Sequence, residues 1–205
     1  MAPKKVSVCI SVRNGERYIA HMLDSLLVQS FDDFEVIIAD NHSSDGTPEI
    51  LAAYAAAFPE KVFVYKTVLH GGAGVGRNLA FEKSRGEYIW FCDADDLAHP
   101  RAIEVMYNAA IKYDADIVCA SAWTLWEKAN APTEIRSFMK EDKSASHDEA
   151  LRDGPYYFWN KLIRRRVLDA VGPMSWEHIF EDIRYVPLCI MKATTIRFIS
   201  NQTYY

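Results

Sequence analysis

The chain has 205 residues, half of them hydrophobic and a quarter charged, and a formal net charge of −5. That composition excludes a disordered chain, and the length suits one α/β domain with a sizeable core. The mildly acidic balance also speaks against the basic face that nucleic-acid binding needs.

Val6 to Val12 reads as a β-branched strand, closed by the turn Arg13-Asn14-Gly15. The spacing of Ile19, Met22, Leu23, Leu26 and Leu27 predicts a helix with one apolar face. Phe34 to Asp40 is a second strand and Asn41 to Gly46 a polar turn. Thr47 then reads as an N-cap with Pro48 at the first position of a helix reaching about Phe58. Val62 to Val68 is a third strand, followed by a glycine-rich turn, Gly71 to Gly76, and a helix from Arg77 to Ser84. Gly86 breaks that helix, and Tyr88 to Cys92 is a fourth strand. Pro100 opens a helix with Ile103, Met106, Tyr107, Ala110 and Ile111 in register, and Ile117 to Trp123 is a fifth strand. After Trp126 the pattern changes. Glu127 to His147 is polar without a period and reads as a long loop or flap. Tyr156 to Trp159 is an aromatic cluster, Val167 to Val171 and Ile183 to Met191 are short helices, and Thr195 to Ser200 is a closing strand.

The alternation of strand and helix predicts an α/β fold with a mostly parallel, doubly wound sheet and helices on both faces. Ligands of such sheets bind outside the carboxyl ends of the strands. Arg13, the Asp40 to Asp45 cluster and the Asp93 to Asp96 cluster all follow strand ends, so three distant segments are expected in one crevice. The longest uncharged stretch, Ile117 to Trp126, is too short to cross a bilayer, and Met1 to Lys5 has no secretory apolar core. Cys9, Cys92, Cys119 and Cys189 lie far apart in apolar runs with no CxxC pair, which reads as buried thiols in a reducing cytosol.

Asp93-Ala94-Asp95-Asp96 carries the most chemistry. Alternate residues of an extended segment point the same way, and close carboxylates repel unless a cation lies between them. Mg2+ or Mn2+ bridging a diphosphate fits such a pair; a solvated acidic turn before the Pro100 helix is the plainer alternative. The Gly71 to Gly76 turn resembles a phosphate cradle at a helix N-terminus but lacks the Gly-Lys of a Walker A and the third glycine of a dinucleotide fingerprint. Arg77 could reach a base or phosphate from there, or be an exposed arginine. Six histidines without HExxH speak against zinc, and no Gly-x-Ser-x-Gly elbow supports a hydrolase.

Taken together these segments resemble the family-2 inverting glycosyltransferases with the GT-A fold. The resemblance runs from Val6-Ser7-Val8-Cys9-Ile10-Ser11-Val12-Arg13-Asn14-Gly15 through Leu23 to Ser30 and Phe34 to Ile38. Asp40-Asn41-His42-Ser43-Ser44-Asp45-Gly46-Thr47 is similar to the family's Asp-Asp-Gly-Ser-Thr-Asp, and Gly76-Arg77-Asn78 to its Ala-Arg-Asn. Gly86 to Asp96 is similar to the strand bearing its DxD, while Trp159-Asn160-Lys161 and Glu181-Asp182 are similar to its acceptor-side motifs. The chain departs from the pattern with Ser11 for Pro, Arg13 for Tyr and Asn41 for the second Asp. The family's Tyr-Tyr-Arg breaks off at Tyr205, which implies an acceptor half cut short at its C-terminal end.

The resemblance implies one GT-A domain over 1–205, with a nucleotide-sugar half over 1–100 and an acceptor half over 101–205. It implies hexosyl transfer from a nucleotide-sugar, a UDP-sugar by preference, to a saccharide or lipid-linked acceptor. Ser11 and Arg13 would line the nucleotide pocket, Asn41 would face the base, and Arg77 would contact base or diphosphate. Asp93 would contact ribose or diphosphate, Asp95 would bind the metal, and Asp182 would be the general base. Trp159, Asn160, Lys161 and Glu181 would lie on the acceptor side, with Trp176 free to stack on sugar rings. An Asp at position 41 is expected to preserve or tighten uracil binding, because the imide N–H needs an acceptor. A non-catalytic nucleotide-sugar-binding module and a sugar-phosphate nucleotidyltransferase are the alternatives. The latter needs a glycine-rich loop after the first strand, where this chain has Val12-Arg13-Asn14-Gly15. Arg164-Arg165-Arg166 reads as a solvated basic turn, or else as a contact with a phosphorylated lipid-linked acceptor or a peripheral contact with anionic lipid at the inner face of the membrane.

Overall fold

The computed structural model describes residues 3–69, 71–124, 134–136, 141–175 and 181–204. The first half alternates strand and helix: β1 (Lys4–Val12), α1 (Ile19–Leu27), β2 (Phe34–Asp40), α2 (Thr47–Ala57), β3 (Val62–Lys66), α3 (Ala73–Lys83), β4 (Gly86–Asp93), α4 (Ala102–Lys112) and β5 (Ile117–Thr124). Next come β6 (Glu134–Arg136), β7 (Lys143–Ala145), α5 (His147–Asp153), β8 (Lys161–Arg164), α6 (Arg165–Val171), α7 (Glu181–Lys192) and β9 (Ile196–Tyr204). The described strands form one sheet in the order β3-β2-β1-β4-β8-β5-β9-β7, with β6 paired to β5.

Side chains alternate across each strand, and the two sets feed two cores. Val8, Ile10 and Trp90 pack with Ile19, Met22, Leu23 and Leu26 of α1 and with Ile103 and Met106 of α4. Cys9, Ile37, Ile89 and Phe91 face the other way, onto Ala80 of α3, Val167 and Leu168 of α6, and Val186 and Ile190 of α7. Of the five predicted apolar positions, Ile19, Met22, Leu23 and Leu26 are fully buried and Leu27 is partly buried against the same core. Burial of each such side chain stabilises the fold by about 1.5–3 kcal/mol.

The mostly parallel sheet is as expected, with pairs β1–β2, β1–β4, β2–β3 and β5–β9 parallel. An antiparallel strand was not expected: β8 inserts between β4 and β5 and separates the two parallel groups. Its four residues are too few to show a period. Helix α3 begins at Ala73 rather than Arg77, so the glycine-rich turn is largely helical. Two of its glycines are required by close packing. A Cβ on Gly74 would lie 2.9 Å from the Ser175 carbonyl oxygen, and one on Gly76 would lie 2.0 Å from Ser11 Oγ.

The polar segment read as a loop contains β6, β7 and the start of α5. Helix α5 has a capping box: Ser146 Oγ accepts from the Glu149 N–H, and the Glu149 carboxylate accepts from the Ser146 N–H. Strand β9 runs four residues past the predicted Ser200 and brings Tyr204 to the loop after β4. Trp126, Trp176, Tyr205 and most of the predicted flap lie outside the described residues. The four cysteines are buried and unpaired, and no described helix is long and apolar enough to cross a membrane.

Candidate active site

Parallel pairing sets the expected segments side by side. Ser11 on β1 is in register with Asp93 on β4, and Val12 with Asp40 on β2. Beyond these strand ends lies a cleft of about 280 Å³ lined by Ser11, Arg13, Tyr18, Arg77, Asp93 and Asp95 among others. Arg13 and Asp95 are exposed at it, and Ser11 is half-buried against Gly76.

The Asp40 to Asp45 cluster ties two loops together. Asp45 accepts from the Glu16 and Thr47 N–H groups at 3.1 Å each and from Thr47 Oγ1 at 2.6 Å. Thr47 Oγ1 in turn accepts from the Gly15 N–H at 2.8 Å, and Asn14 Oδ1 accepts from the Ser44 N–H at 2.8 Å. These bonds staple the loop after β1 to the loop after β2 and so shape the cleft's outer wall. Asp40 accepts from the Ser43 N–H at 3.0 Å and closes the turn between them.

The acidic loop after β4 is held from behind by an unpredicted residue. The Tyr204 hydroxyl accepts from the Asp93 N–H at 2.8 Å, and its ring stacks on Trp159 at 5.2 Å and meets Trp90 edge-on at 5.8 Å. Asp93 donates nothing from its side chain; its Oδ1 accepts from Arg77 Nη2 at 2.6 Å. Burial raises the Asp93 pKa, Arg77 opposes that, and Asp95 and Asp182 add to it. Burial, then Asp93 and Asp95, push Asp96 up to about 7. Among the described residues no group of three or more His, Cys, Asp or Glu side chains surrounds a common metal position.

Asn41, expected to face the base, makes its hydrogen bonds within the protein. Its amide nitrogen donates to the Gly71 and Gly72 carbonyls at 2.5 and 3.4 Å, and its Oδ1 accepts from Thr67 Oγ1 at 3.1 Å. The side chain is buried and clamps the turn that starts α3. This reverses the expectation for an Asp at this position, because a carboxylate has no proton to give those carbonyls and would face them in a buried site. Asn41→Asp is expected to cost about 1–3 kcal/mol, the usual penalty for orphaned buried polar groups, and to weaken nucleotide binding rather than tighten it. Thermal unfolding with a parallel UDP titration checks this; a variant as stable as its parent that binds UDP more tightly would refute it.

The segment Gly76-Arg77-Asn78 joins the two halves of the chain. Asn78 Nδ2 donates to the Met174 carbonyl at 2.8 Å, and Asn78 Oδ1 accepts from the Met174 N–H at 2.8 Å. Arg77 pairs through Nη1 with Glu181, at the first turn of α7, while Nη2 holds Asp93. Asp182 is half-buried at the same turn, where its Oδ1 accepts from the Ile183 N–H at 2.8 Å. It lies near enough to influence both Asp93 and Lys161.

The remaining acceptor-side residues are brought together, but two of them beneath the surface. Asn160 and Lys161 are fully buried. Lys161 Nζ donates to Asn160 Oδ1 at 2.7 Å, to the Tyr157 carbonyl at 2.8 Å and to the Pro155 carbonyl, and burial lowers its pKa. They brace the 155–160 turn, on which Trp159 stacks between Tyr157 and Tyr204. Each of the three consecutive arginines is engaged by a neighbour within the protein, and Arg166 stays exposed. Arg164 binds Asp114 and Asp116, Arg165 donates to the Gly86 carbonyl and Ser84, and Arg166 binds Asp116 at 2.6 Å. The fully buried Asp116 pairs with two of them, the half-buried Arg164 and the exposed Arg166.

Residues 7–172 match the sequence model of the family described as Glycosyl transferase family 2, and the chain belongs to that family. It is 28% identical to the cholesterol galactosyltransferase of Borreliella burgdorferi over 98% of its own length and 59% of that protein's. Its fold, of the GT-A kind, is similar to that of S. aureus TarS crystallised with UDP, with a TM-score of 0.85 and 24% identity over 98% of this chain and 60% of the other. The mannosyltransferase PcManGT from Pyrobaculum calidifontis, in complex with GDP-Man and Mn2+, has a similar fold with a TM-score of 0.70 and 17% identity over 98% of this chain and 58% of that one. The chain thus spans about three-fifths of the length of each of these proteins.

Proposed function

We propose that this chain is the donor- and base-carrying core of a metal-dependent inverting glycosyltransferase that moves a sugar from a nucleotide-sugar, preferably a UDP-sugar, to a saccharide or lipid-linked acceptor. The observation that carries this reading is the meeting in one cleft of Ser11, Arg13, Asp93 and Asp95, with Asp182 next to Glu181, which Arg77 ties to Asp93. Ser11 and Arg13 hold the nucleotide, Asp93 the ribose or diphosphate, and Asp182 takes the proton of the acceptor hydroxyl.

The residues present fit a divalent cation. Asp95 is exposed beside Asp93, and burial together with the Asp93 and Asp95 carboxylates raises Asp96 to about 7. Mg2+ and Mn2+ commonly need only one or two carboxylates, with phosphate and water completing the shell, so Asp95 with Asp93 would hold the ion. When bound, it would offset the charge that grows on the diphosphate leaving group. The crystal of TarS with UDP and that of PcManGT with GDP-Man show that this fold takes different bases. The uridine preference is carried here by the family resemblance.

The deciding measurement is donor hydrolysis across a panel of nucleotide-sugars, with Mn2+ and after chelation. One UDP-sugar should be turned over in the presence of metal and lose its turnover on chelation. Binding of a nucleotide-sugar with no hydrolysis and no transfer to any acceptor would make the chain a binding module, and a GDP- or CMP-sugar as the better donor would end the uridine assignment.

A further inference from the structure

The guanidinium of Arg77 is committed at both ends. Nη2 binds Asp93 at 2.6 Å and Nη1 binds Glu181, while its flat face lies 5.4 Å from the centre of the Phe158 ring. The arginine side chain is only 10% exposed and that of Glu181 9%. Phe158 is itself wedged between Phe91 of β4 and Tyr185 of α7, at 5.0 and 5.8 Å. The bridge thus runs from the strand end that carries the DxD, through one buried cation, to the first turn of the helix that carries Asp182. With both terminal nitrogens on carboxylates, the positive charge of the guanidinium is already offset within the protein.

We propose that Arg77 is a positioning residue that couples the loaded donor site to the placement of Asp182, rather than a ligand of the donor. The proposal rests on the transferase reading above. Any new contact made by Asp93 when donor and metal arrive alters its share of Arg77, and the change is felt at Glu181, the residue next to the base. The planar fork is needed for this, because a lysine ammonium keeps the charge but cannot hold two carboxylates on opposite edges.

The test compares the parent with Arg77→Lys, Glu181→Gln and the double variant, each first checked for folding by circular dichroism. UDP is titrated in the presence of Mn2+, steady-state kinetics are measured, and amide exchange is followed at Ile183 to Tyr185 with and without UDP and Mn2+. The expected UDP dissociation constants stay within about threefold of the parent, while kcat falls by roughly 10- to 100-fold in each single variant, as for a misplaced catalytic group. The double variant should be no slower than the worse single one, since both break the same bridge. UDP with Mn2+ should slow exchange at the start of α7 in the parent but not in Arg77→Lys. A UDP affinity weakened about tenfold or more in Arg77→Lys yet unchanged in Glu181→Gln would make Arg77 a donor ligand instead. Kinetic losses that multiply, or protection of α7 that survives in Arg77→Lys, would break the coupling. If the parent binds UDP and Mn2+ but transfers no sugar, the transferase reading fails, and the exchange comparison still decides whether the bridge exists.

Discussion

Asp182→Asn is expected to cut sugar transfer by roughly two to four orders of magnitude, the usual size of a general-base contribution. A sugar hydroxyl is a poor nucleophile at neutral pH, so a carboxylate within hydrogen-bond reach must take its proton as the new bond forms. Asp182 is placed for this by two features. It stands in the first turn of α7, whose position is set by the pairing of Glu181 with Arg77 and by the burial of Tyr185 and Val186. It is also half-exposed, and among the described residues its carboxylate accepts a hydrogen bond from the Ile183 N–H of its own turn. The simpler account is that Glu181 and Asp182 merely favour the positive end of the helix dipole. The two accounts differ in what the asparagine does. As a dipole partner its loss costs about 0.3–1 kcal/mol of stability and little activity; as the base its loss leaves UDP and metal affinity unchanged and removes turnover. Transfer rates within a few-fold of the parent, or a product whose NMR spectrum shows a retained anomeric centre, would defeat the assignment.

Asp95→Ala is expected to abolish the metal-dependent part of UDP binding while the fold survives. Asp95 is exposed and its side chain makes no hydrogen bond or ion pair with the described residues. The loop around it is held by other means, through the Asp93 N–H on Tyr204, the Asp93 carboxylate on Arg77 and the pairing of Ala98 with Tyr204. Removing one of three clustered carboxylates also relieves the repulsion that helps to raise Asp96. The thermal midpoint should therefore stay close to that of the parent. In calorimetry the parent should bind UDP at least about tenfold more tightly with Mn2+ than with chelator, a difference of about 1.4 kcal/mol, and the variant should bind equally in both. A variant that keeps the parent's Mn2+ dependence would move the metal site elsewhere.

The first half of the fold was legible because its signals are local. Each strand from β1 to β4 is a run of apolar residues closed by a polar turn, and α1 shows its buried face as the spacing of Ile19, Met22, Leu23 and Leu26. Parallel pairing then follows from the alternation of elements, and with it the meeting of Arg13 and the acidic loop at one sheet edge. Helix α5 could have been read as well, since Ser146 and Glu149 have the spacing of a capping box. Strand β8 and the extension of β9 could not, because short buried strands are defined by partners distant in the chain.

The residues by themselves determined the layered α/β architecture, the buried thiols and the acidic DxD turn at the end of a strand, since all of these depend on neighbours within a few positions. What each polar side chain does was decided only by tertiary structure. Nothing local tells whether an arginine faces a ligand or two carboxylates, and Arg77 meets Asp93 and Glu181 from 16 residues away and across the sheet's other half. Asn41 meets Gly71 from 30 residues away, and Asp93 meets Tyr204 from 111. Hydrogen bonds and ion pairs are short-ranged and directional, so a polar residue's role is settled by the few atoms the fold brings within about 3 Å of it, while a hydrophobic residue needs only a place out of water.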